Sequence, residues 1–229
     1  MNIAVLIPSL DPNERLGTLV SALRQRGVTQ LVVIDDGSAA RTQPIFDLCA
    51  SLGCIVVHHD RNRGKGEALR TGLRAAREHF PNLAGVVTAD GDGQHRVNDI
   101  LRVAHALETT ASGLILGTRD FSGSHVPFRS RFGNRFSSLP AALFDFALSV
   151  SGSRYEYEMN LLFSAAQQHI PLRYIPIETV YEDNNSVSHF RPLRDSARIY
   201  AAPLRFAIAS LSSFFIDILL FSLFALLLP

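Results

Sequence analysis

Two carboxylates separated by one glycine follow an apolar run near the middle of the chain. The stretch at 86–95 reads VVTADGDGQH, so Gly91 allows a turn on which Asp90 and Asp92 can point at one place, with the side-chain oxygen of Gln94 nearby. An all-oxygen set selects Mg²⁺ or Mn²⁺ over Zn²⁺ and leaves coordination positions to water and phosphate. Asp-Gly pairs also form ordinary turns, and these residues alone leave that alternative open.

A second segment that could bind a ligand is glycine-rich and basic. Asn62, Gly64, Lys65 and Gly66 precede a predicted helix, and a helix N-terminus that carries a lysine favours phosphate. The spacing does not match the Gly-x4-Gly-Lys-Ser/Thr pattern of nucleoside triphosphate P-loops. We therefore predict a phosphate contact of another kind, to which Asn62 and Lys65 contribute.

Two acidic motifs end the first two predicted strands. In IPSLDPNE, Asp11 as the N-cap, Pro12 and Glu14 form a helix start, although the same turn is also placed to receive a nucleotide base. In VVIDDGS, the turn requires one acid and the chain has two, Asp35 and Asp36. The additional carboxylate is suited to accept a hydrogen bond from a base N–H or a ribose hydroxyl.

Alternating strands and helices must position these motifs. The sequence predicts strands at 3–7, 31–34, 55–59, 85–89 and 114–117, and helices at 14–26, 66–79 and 98–108. Continuous apolar strands that alternate with helices indicate a parallel sheet covered on both faces, with ligands bound beyond the carboxyl ends of its strands. We expect one shared rim formed by the loops that open at Pro8, Asp35, Asp60, Asp90 and Thr118. Further along, we predict a mobile acceptor loop at 121–138, a helix at 155–169 and a strand at 172–180.

Composition excludes some classes of function. The 229 residues include 22 Lys and Arg against 21 Asp and Glu, a formal charge of +1, which argues against a nucleic-acid partner. Cys49 and Cys54 stand in one short segment without a second pair. We predict buried free thiols in a reducing compartment rather than a zinc site. The N-terminus, MNIAVLIPSL, resembles a first strand and not a signal peptide.

The C-terminal segment is strongly apolar. Residues 206–229 contain one charged residue, Asp217, and about 20 apolar residues suffice to cross a bilayer, so we predict a transmembrane helix. A buried or interfacial helix is the alternative. A carboxylate in such a helix usually faces a partner helix, which suggests either further membrane helices or a homo-oligomer.

A basic stripe precedes this segment. Arg191, Arg194, Arg198 and Arg205 share one helical face, interrupted at Pro203. Such a stripe beside a spanning helix is expected to lie against anionic headgroups and marks the cytoplasmic side. A solvated charged face is the alternative.

Taken in order, IPSLDPNE, VVIDDGS, N-x-G-K-G, DGDGQH and GTRDF resemble the family 2 glycosyltransferases. Within that family the chain is most similar to polyprenyl-phosphate glycosyltransferases, the dolichyl-phosphate mannose synthase-like enzymes, over roughly residues 1–200. The resemblance implies an α/β domain of the GT-A fold, a Rossmann-like, mostly parallel sheet flanked by helices, at 1–190. It is followed by a basic juxtamembrane helix at 191–205 and the transmembrane helix at 206–229, which could open a longer membrane domain.

The resemblance and the motifs together assign site residues. The predicted nucleotide-sugar-binding residues are Pro8, Leu10, Asp11, Glu14, Asp35, Asp36, Asn62, Lys65, Asp90, Gly91, His189 and Arg191. The predicted ligands of Mg²⁺ or Mn²⁺ are Asp90, Asp92 and Gln94. The residues expected at the acceptor phosphate are Arg119, Arg131 and Asn134. The predicted catalytic or sugar-orienting residues are Asp92, Arg119, Arg131, Glu156 and Glu158.

The implied activity is an inverting, metal-dependent transfer of a hexose from a nucleotide sugar, with UDP-sugars favoured, to a polyprenyl monophosphate. We expect it at the cytoplasmic face of the cell membrane. The chain departs from the family in lacking an Asp-Thr-Gln-Thr-Gly-Leu-Arg-like segment between its FGN and YEYEM motifs. That departure predicts an incomplete wall around the sugar, and it keeps a non-catalytic, membrane-tethered sugar-nucleotide binder as an alternative. A glycosyltransferase with another acceptor is a second one, although the absence of Trp argues against the Gln-x-x-Arg-Trp motif of polysaccharide synthases.

Overall fold

The computed structural model describes residues 2–93, 95–109, 113–119, 136–178 and 192–227. The chain divides into two compact units, Met1–Ser188 and His189–Pro229. The sequence motifs that could bind ligands, from IPSLDPNE to the YEYEM segment, all lie in the first unit.

A mixed sheet forms the centre of the first unit. Its strands are β1 Ile3–Ser9, β2 Leu31–Asp35, β3 Ile55–His58, β4 Gly85–Thr88, β5 Leu114–Arg119, β6 Phe136–Pro140 and β7 Leu172–Ile177. Their spatial order is β3-β2-β1-β4-β6-β5-β7, and β6 alone runs antiparallel to its neighbours among these strands. The predicted mostly parallel sheet is confirmed, with strand ends within two residues of those expected at the five predicted sites.

Strand β6 corrects the prediction of a mobile loop at 121–138, because residues 136–138 belong to it. The strand is short and has two serines among its five residues, so its sequence lacks the apolar run that marks the others. Its polar side chains are satisfied inside the sheet: Ser138, with 0% exposure, donates from Oγ to the carbonyl oxygen of Ile115 at 3.3 Å. The hydroxyl of Thr88 on β4 donates to the carbonyl oxygen of Ser137 at 3.1 Å.

Helices cover both faces of the sheet. They are α1 Glu14–Gln25, α2 Gln43–Ser51, α3 Lys65–His79, α4 Val97–Thr109, α5 Phe144–Ser149 and α6 Glu156–Gln167. Strand β1 shows the division: Val5 and Ile7 pack with residues of α1, α2 and α4, whereas Ala4 and Leu6 pack with residues of α3, α5 and α6. Both faces of this strand are therefore core, which explains its continuous apolar run. The helices α2 and α5 are short and escaped the sequence analysis.

A buried arginine fixes the start of α6 relative to α3. Arg70 of α3 donates to the carbonyl oxygens of Val150 at 2.5 Å and Gly152 at 2.6 Å. Its guanidinium also lies 4.7 Å from the ring centre of Tyr157 and 2.8 Å from a carboxylate oxygen of Glu67. Because α6 begins within this network, its first turn is held against the N-terminal part of α3.

Cys49 and Cys54 are buried free thiols, as predicted. Burial, with a smaller contribution from Cys54, raises the pKa of Cys49 to about 12.

The second unit contains one long helix, α7 Pro192–Leu227. It continues through Pro203, which contradicts the expected interruption there; a helix this long retains enough other backbone hydrogen bonds to continue past a residue that cannot donate one. The part Ala207–Ala225 has a mean hydropathy of 2.0 and none of it is buried. By length and composition it is able to cross a membrane, and Asp217 lies near its middle.

Candidate active site

The turn after β1 is held by the turn after β2. Asp11 has a left-handed backbone with φ 46°, its N–H donates to Ser38 Oγ at 2.8 Å, and its Oδ1 accepts from the N–H of Ala39 at 2.8 Å. The N-cap of α1 is therefore Asn13, whose side chain accepts from the N–H of Arg15 at 3.0 Å, and not Asp11 as predicted. The physical reason is that Asp11 turns towards the β2 loop, which moves the start of the helix two residues along.

Asp35, the last residue of β2, is buried and already paired. Its Oδ1 accepts from the N–H of Ser38 at 2.8 Å, and its Oδ2 accepts from His58 Nδ1 at 2.9 Å. Burial favours the protonated form, but these bonds from Ser38 and His58 outweigh it and hold the pKa of Asp35 below its ordinary value. Asp35 is thus ionised at neutral pH and organises the β2 turn.

Asp36 anchors the loop that leads to Lys65. Its Oδ1 accepts from His59 Nδ1 at 2.9 Å and from the N–H of Arg63 at 2.8 Å, and its Oδ2 accepts from the N–H of Gly64 at 2.8 Å. The side chains of Asp36 and His59 are only 6% and 4% exposed. His59 Nε2 lies 3.0 Å from Thr71 Oγ1 on α3. The predicted nucleotide-binding carboxylate therefore has three partners within the protein.

The glycines beside Lys65 allow the start of α6 to pack closely against them, so they do not form an open phosphate-binding loop. A Cβ on Gly64, whose φ is +98°, would lie 2.5 Å from the carbonyl oxygen of Ser153. A Cβ on Gly66 would lie 2.5 Å from Cβ of Tyr157. The start of α3 can pack this tightly against the start of α6 only with glycine at both positions.

Lys65 is the centre of a cluster from three elements. Its Nζ lies 2.9 Å from Oδ1 of Asp90, just beyond β4, and 3.3 Å from Oε2 of Glu158 in the first turn of α6. Burial opposes the charged form of Lys65, but Asp90 and Glu158 outweigh it and raise its pKa, so the ammonium persists. Burial also raises the pKa of Glu158, partly offset by Lys65.

Contacts with His95, α1 and the end of β1 hold the DGDG turn in place. The N–H of Asp90 donates to His95 Nδ1 at 2.9 Å, so this nitrogen carries no proton. Arg15 of α1 donates from Nη1 to the carbonyl oxygen of Asp92 at 3.3 Å. A Cβ on Gly91 would lie 2.8 Å from Ser9 Oγ at the end of β1. The turn is therefore built against the carboxyl end of β1, on the expected rim.

The two glutamates of the YEYEM segment have different positions. Glu158 faces Lys65, whereas Oε1 of Glu156 accepts from the N–H groups of Ser153 and Arg154 at 3.1 and 3.2 Å. Glu156 thus stabilises the start of α6.

Carboxylate oxygens that could bind a metal and the ammonium of Lys65 therefore lie together at the carboxyl ends of a mostly parallel sheet. The family model named Glycosyl transferase family 2 matches residues 5–162. The chain belongs to this family. The prediction of a glycosyltransferase is thereby confirmed.

Relatives and a solved structure agree with this assignment. An uncharacterised protein of Methanocaldococcus jannaschii is 27% identical over 205 residues, which are 79% of this chain and 82% of that protein. The UDP-N-acetylglucosamine–dolichyl-phosphate N-acetylglucosaminyltransferase of Methanococcus voltae is 23% identical over 221 residues, 79% of this chain and 86% of that enzyme. Glucosyl-3-phosphoglycerate synthase of Mycobacterium tuberculosis, solved with Mn²⁺, UDP and glucosyl-3-phosphoglycerate, has a TM-score of 0.65 at 18% identity, over 89% of this chain and 78% of that one. The last match confirms the GT-A-like fold.

Most other predicted site residues of this glycosyltransferase lie on the same rim. Pro8 pairs with Ile34 across β1 and β2, and Leu10 follows β1 directly. Glu14 is the first residue of α1, and Asn62 Oδ1 lies 3.4 Å from Nη1 of Arg154.

Six predicted residues cannot be placed in full. Arg119 ends β5, but its side chain lies outside the described part of the chain. The residues that lie entirely outside it are Gln94, Arg131, Asn134, His189 and Arg191.

Sequence reasoning missed the histidines that position the glycosyltransferase site. Parallel register pairs Asp35 with His58, so the acidic pair DD lies opposite the pair HH at the ends of two neighbouring strands. That correspondence was available from the sequence by counting back from each turn. His95 had no such signal, because its partner is a backbone N–H.

Proposed function

We propose that the chain transfers a hexose from a UDP-sugar to a polyprenyl monophosphate, with inversion at the anomeric carbon. The observation that carries the proposal is the cluster of Lys65, Asp90 and Glu158 beside the DGD turn. It presents a cation for a diphosphate and carboxylates for a metal and sugar hydroxyls on the rim where sheets of this type bind ligands.

The UDP-sugar is proposed from the relatives. The Methanococcus voltae enzyme is named for a UDP-sugar donor and a dolichyl-phosphate acceptor, and the mycobacterial structure holds UDP. In this chain the turns after β1 and β2 would receive the nucleoside, with Pro8, Asp11 and Asp35 along its edge. Because Asp35 and Asp36 already hold protein donors, they fix the backbone of these turns, whose N–H and C=O groups can contact the base.

A divalent metal fits the residues of the turn. Asp90 and Asp92, with Gln94, supply only oxygen ligands, and the carboxylate of Asp90 already faces a positive charge, the ammonium of Lys65. No cluster of three His, Cys, Asp or Glu side chains able to hold a metal occurs among the described residues. A site with few protein ligands suits Mg²⁺ or Mn²⁺, which retain positions for water and phosphate. Bound there, the ion would supply charge neutralisation for the leaving diphosphate.

The remaining chemistry needs no strong base. A phosphate monoester has a second pKa of about 6, so the acceptor is largely ionised at neutral pH and can attack directly. The protonated Lys65 would stabilise negative charge on the leaving group. Glu158 would accept a hydrogen bond from a hexose hydroxyl and orient the sugar.

The acceptor side of the proposal rests on family resemblance. It assigns Arg119, Arg131 and Asn134 to the lipid phosphate, and His189 and Arg191 to closure over the donor. A membrane-embedded α7 would keep the enzyme at the bilayer that holds such a lipid, with the basic stripe on its cytoplasmic side. The missing segment before YEYEM would leave the sugar site more open than in relatives that carry it.

Labelled UDP-sugars, polyprenyl phosphate and Mn²⁺ are incubated with membranes that contain the wild-type chain, Asp92→Asn or the control Asp145→Asn. Asp145 is 89% exposed and pairs with the exposed Arg77, so this control removes an acid of no expected consequence. Chloroform-soluble label is expected from the wild type and the control, and not from Asp92→Asn.

Two other outcomes would reject the proposal in different ways. UDP binding without any transfer would favour the sugar-nucleotide binder. Label that appears only in a water-soluble product would indicate another acceptor, such as the soluble phosphorylated compound in the mycobacterial structure.

A further inference from the structure

The cation at the centre of the site is a chemical exception in this chain. Lys65 is the only lysine in the sequence, where every other cationic side chain of the 22 is arginine. A lysine ammonium is a compact point charge on a flexible stem, whereas the guanidinium is planar and held by several directed bonds. The site therefore contains a cation that can exchange partners by a small rotation of its side chain.

That ammonium occupies space that a metal ion bound to Asp90 would need. Nζ of Lys65 contacts Oδ1 of Asp90 at 2.9 Å, with the two side chains only 20% and 34% exposed. A divalent ion bound by Asp90 would have this positive charge as a close neighbour. Partial burial weakens the screening of that repulsion by water.

We infer that Lys65 and the divalent metal compete for Asp90, and that Lys65 thereby makes metal binding depend on the nucleotide. This inference rests on the proposed function, since it concerns the same site. Without a nucleotide, Lys65 neutralises Asp90 and the metal binds weakly. With a diphosphate present, the ammonium turns to the phosphate oxygens, and Asp90 is released to the metal.

The surroundings of Lys65 permit this exchange. Its backbone is fixed, because the N–H of Gly64 is bound to Asp36 and α3 packs tightly against α6. Only the side chain has to reorient. Glu158, at 3.3 Å, is a second carboxylate that continues to compensate the ammonium after it leaves Asp90. Lys65 is a positioning residue for the metal in this scheme and a binding residue for the diphosphate.

Manganese binding separates this scheme from a merely structural ion pair. Free Mn²⁺ is titrated by electron paramagnetic resonance against the full-length chain in nanodiscs, with and without UDP, for wild type, Lys65→Met and the control Arg63→Gln. Methionine keeps the length of the side chain and removes its charge. Arg63 is two residues away, and its side chain pairs with Asp60 on the surface.

We expect Lys65→Met to bind Mn²⁺ in the absence of UDP about tenfold more tightly than wild type, because a screened unit charge at contact distance corresponds to at least that factor. The enhancement by UDP should fall by the same factor, because the variant has no ammonium for UDP to draw away from Asp90. Arg63→Gln should stay within about twofold of wild type. Unchanged or weaker Mn²⁺ binding by a folded Lys65→Met chain would overturn the inference.

A second measurement observes the exchange directly. Reductive methylation with carbon-13 formaldehyde labels only Lys65 and the N-terminal amine, because the chain has no other lysine. UDP with Mg²⁺ should shift the Lys65 methyl resonance, and an unshifted resonance at saturation would also overturn the inference. Both measurements omit the lipid acceptor, so failure to form labelled lipid would reject the proposed reaction without deciding the role of Lys65.

Discussion

Replacing Asp36 by asparagine tests whether this carboxylate anchors the loop that carries Lys65 or contacts the nucleotide directly. Family resemblance assigns this carboxylate to the nucleotide, but the structure gives it three donors, His59 Nδ1 and the N–H groups of Arg63 and Gly64. We expect Asp36→Asn to destabilise the first unit and to weaken UDP binding only through the loop that carries Lys65.

The magnitude follows from those three bonds. The amide of asparagine can accept from one side only, so its NH₂ group must face a buried N–H that then has no acceptor, at a cost of about 1–3 kcal/mol. The two remaining bonds lose the assistance of a full charge, about 1 kcal/mol in total or somewhat more. A loss of about 3 kcal/mol lowers Tm by about 6–12 °C in a unit of this size.

The assay is thermal unfolding of the full chain in detergent by circular dichroism, followed by UDP titration at a temperature where both proteins are folded. Asp60→Asn is the matched control, since Asp60 lies on the same loop but is exposed and pairs with Arg63 at the surface. It should melt almost as wild type does. A double-mutant cycle with His59→Gln should show strong non-additivity, because the two side chains share one bond. Asp36→Asn with an unchanged Tm and lost UDP affinity would refute the anchoring role and restore the nucleotide contact.

Two further substitutions and a pH dependence follow from the packing. Gly64→Ala should destabilise the chain by about 2 kcal/mol or more in a denaturant titration, because it adds a clash with Ser153 to a left-handed backbone. Gly27→Ala, with φ +82° and nothing within 4 Å, bears only the backbone cost and should lose about 1 kcal/mol, so equal losses would contradict the clash. Because burial raises the pKa of Cys49 from 9.0 to about 12, the folded state keeps a proton that the unfolded state loses, and stability should fall as pH rises above 9. Native Cys49 should not react with a thiol reagent at pH 8; rapid reaction without unfolding would show that the thiol is accessible.

The parts of the fold that could be predicted from sequence were those with a strong local pattern. The strands β1, β2 and β4 are buried on both faces, so their apolar runs are unbroken and their ends are marked by acids or glycine. The rim follows from the direction of parallel strands, and so does the placement of Lys65 and Asp90 at one end of the sheet, but not that of Glu158, which follows the antiparallel strand β6. Their mutual contact could not be predicted, because it depends on how α6 docks on α3.

The elements that escaped prediction depend on contacts distant in sequence. Strand β6 has two serines at its centre, and its place between β4 and β5 is stabilised by hydroxyl groups that bond to neighbouring carbonyls. The cap of α1 moved from Asp11 to Asn13 because Asp11 bonds to the loop after β2, which lies 28 residues along the chain. In both cases a side chain forms its hydrogen bond with a residue far away in the sequence.

The same distinction decides what the acids at the rim of this glycosyltransferase can do. Asp35 and Asp36 accept hydrogen bonds from protein donors and fix the turns after β2 and β3, so they act on a substrate through the position of this backbone. Asp90 and Glu158 face the ammonium of Lys65, whose flexible side chain can turn to a ligand. Substitution at Asp36 should therefore change stability and UDP affinity together, whereas substitution at Lys65 should change the order of metal and nucleotide binding at nearly constant stability. If both variants altered the two quantities in the same ratio, the division between a rigid scaffold and an exchangeable cluster would be wrong.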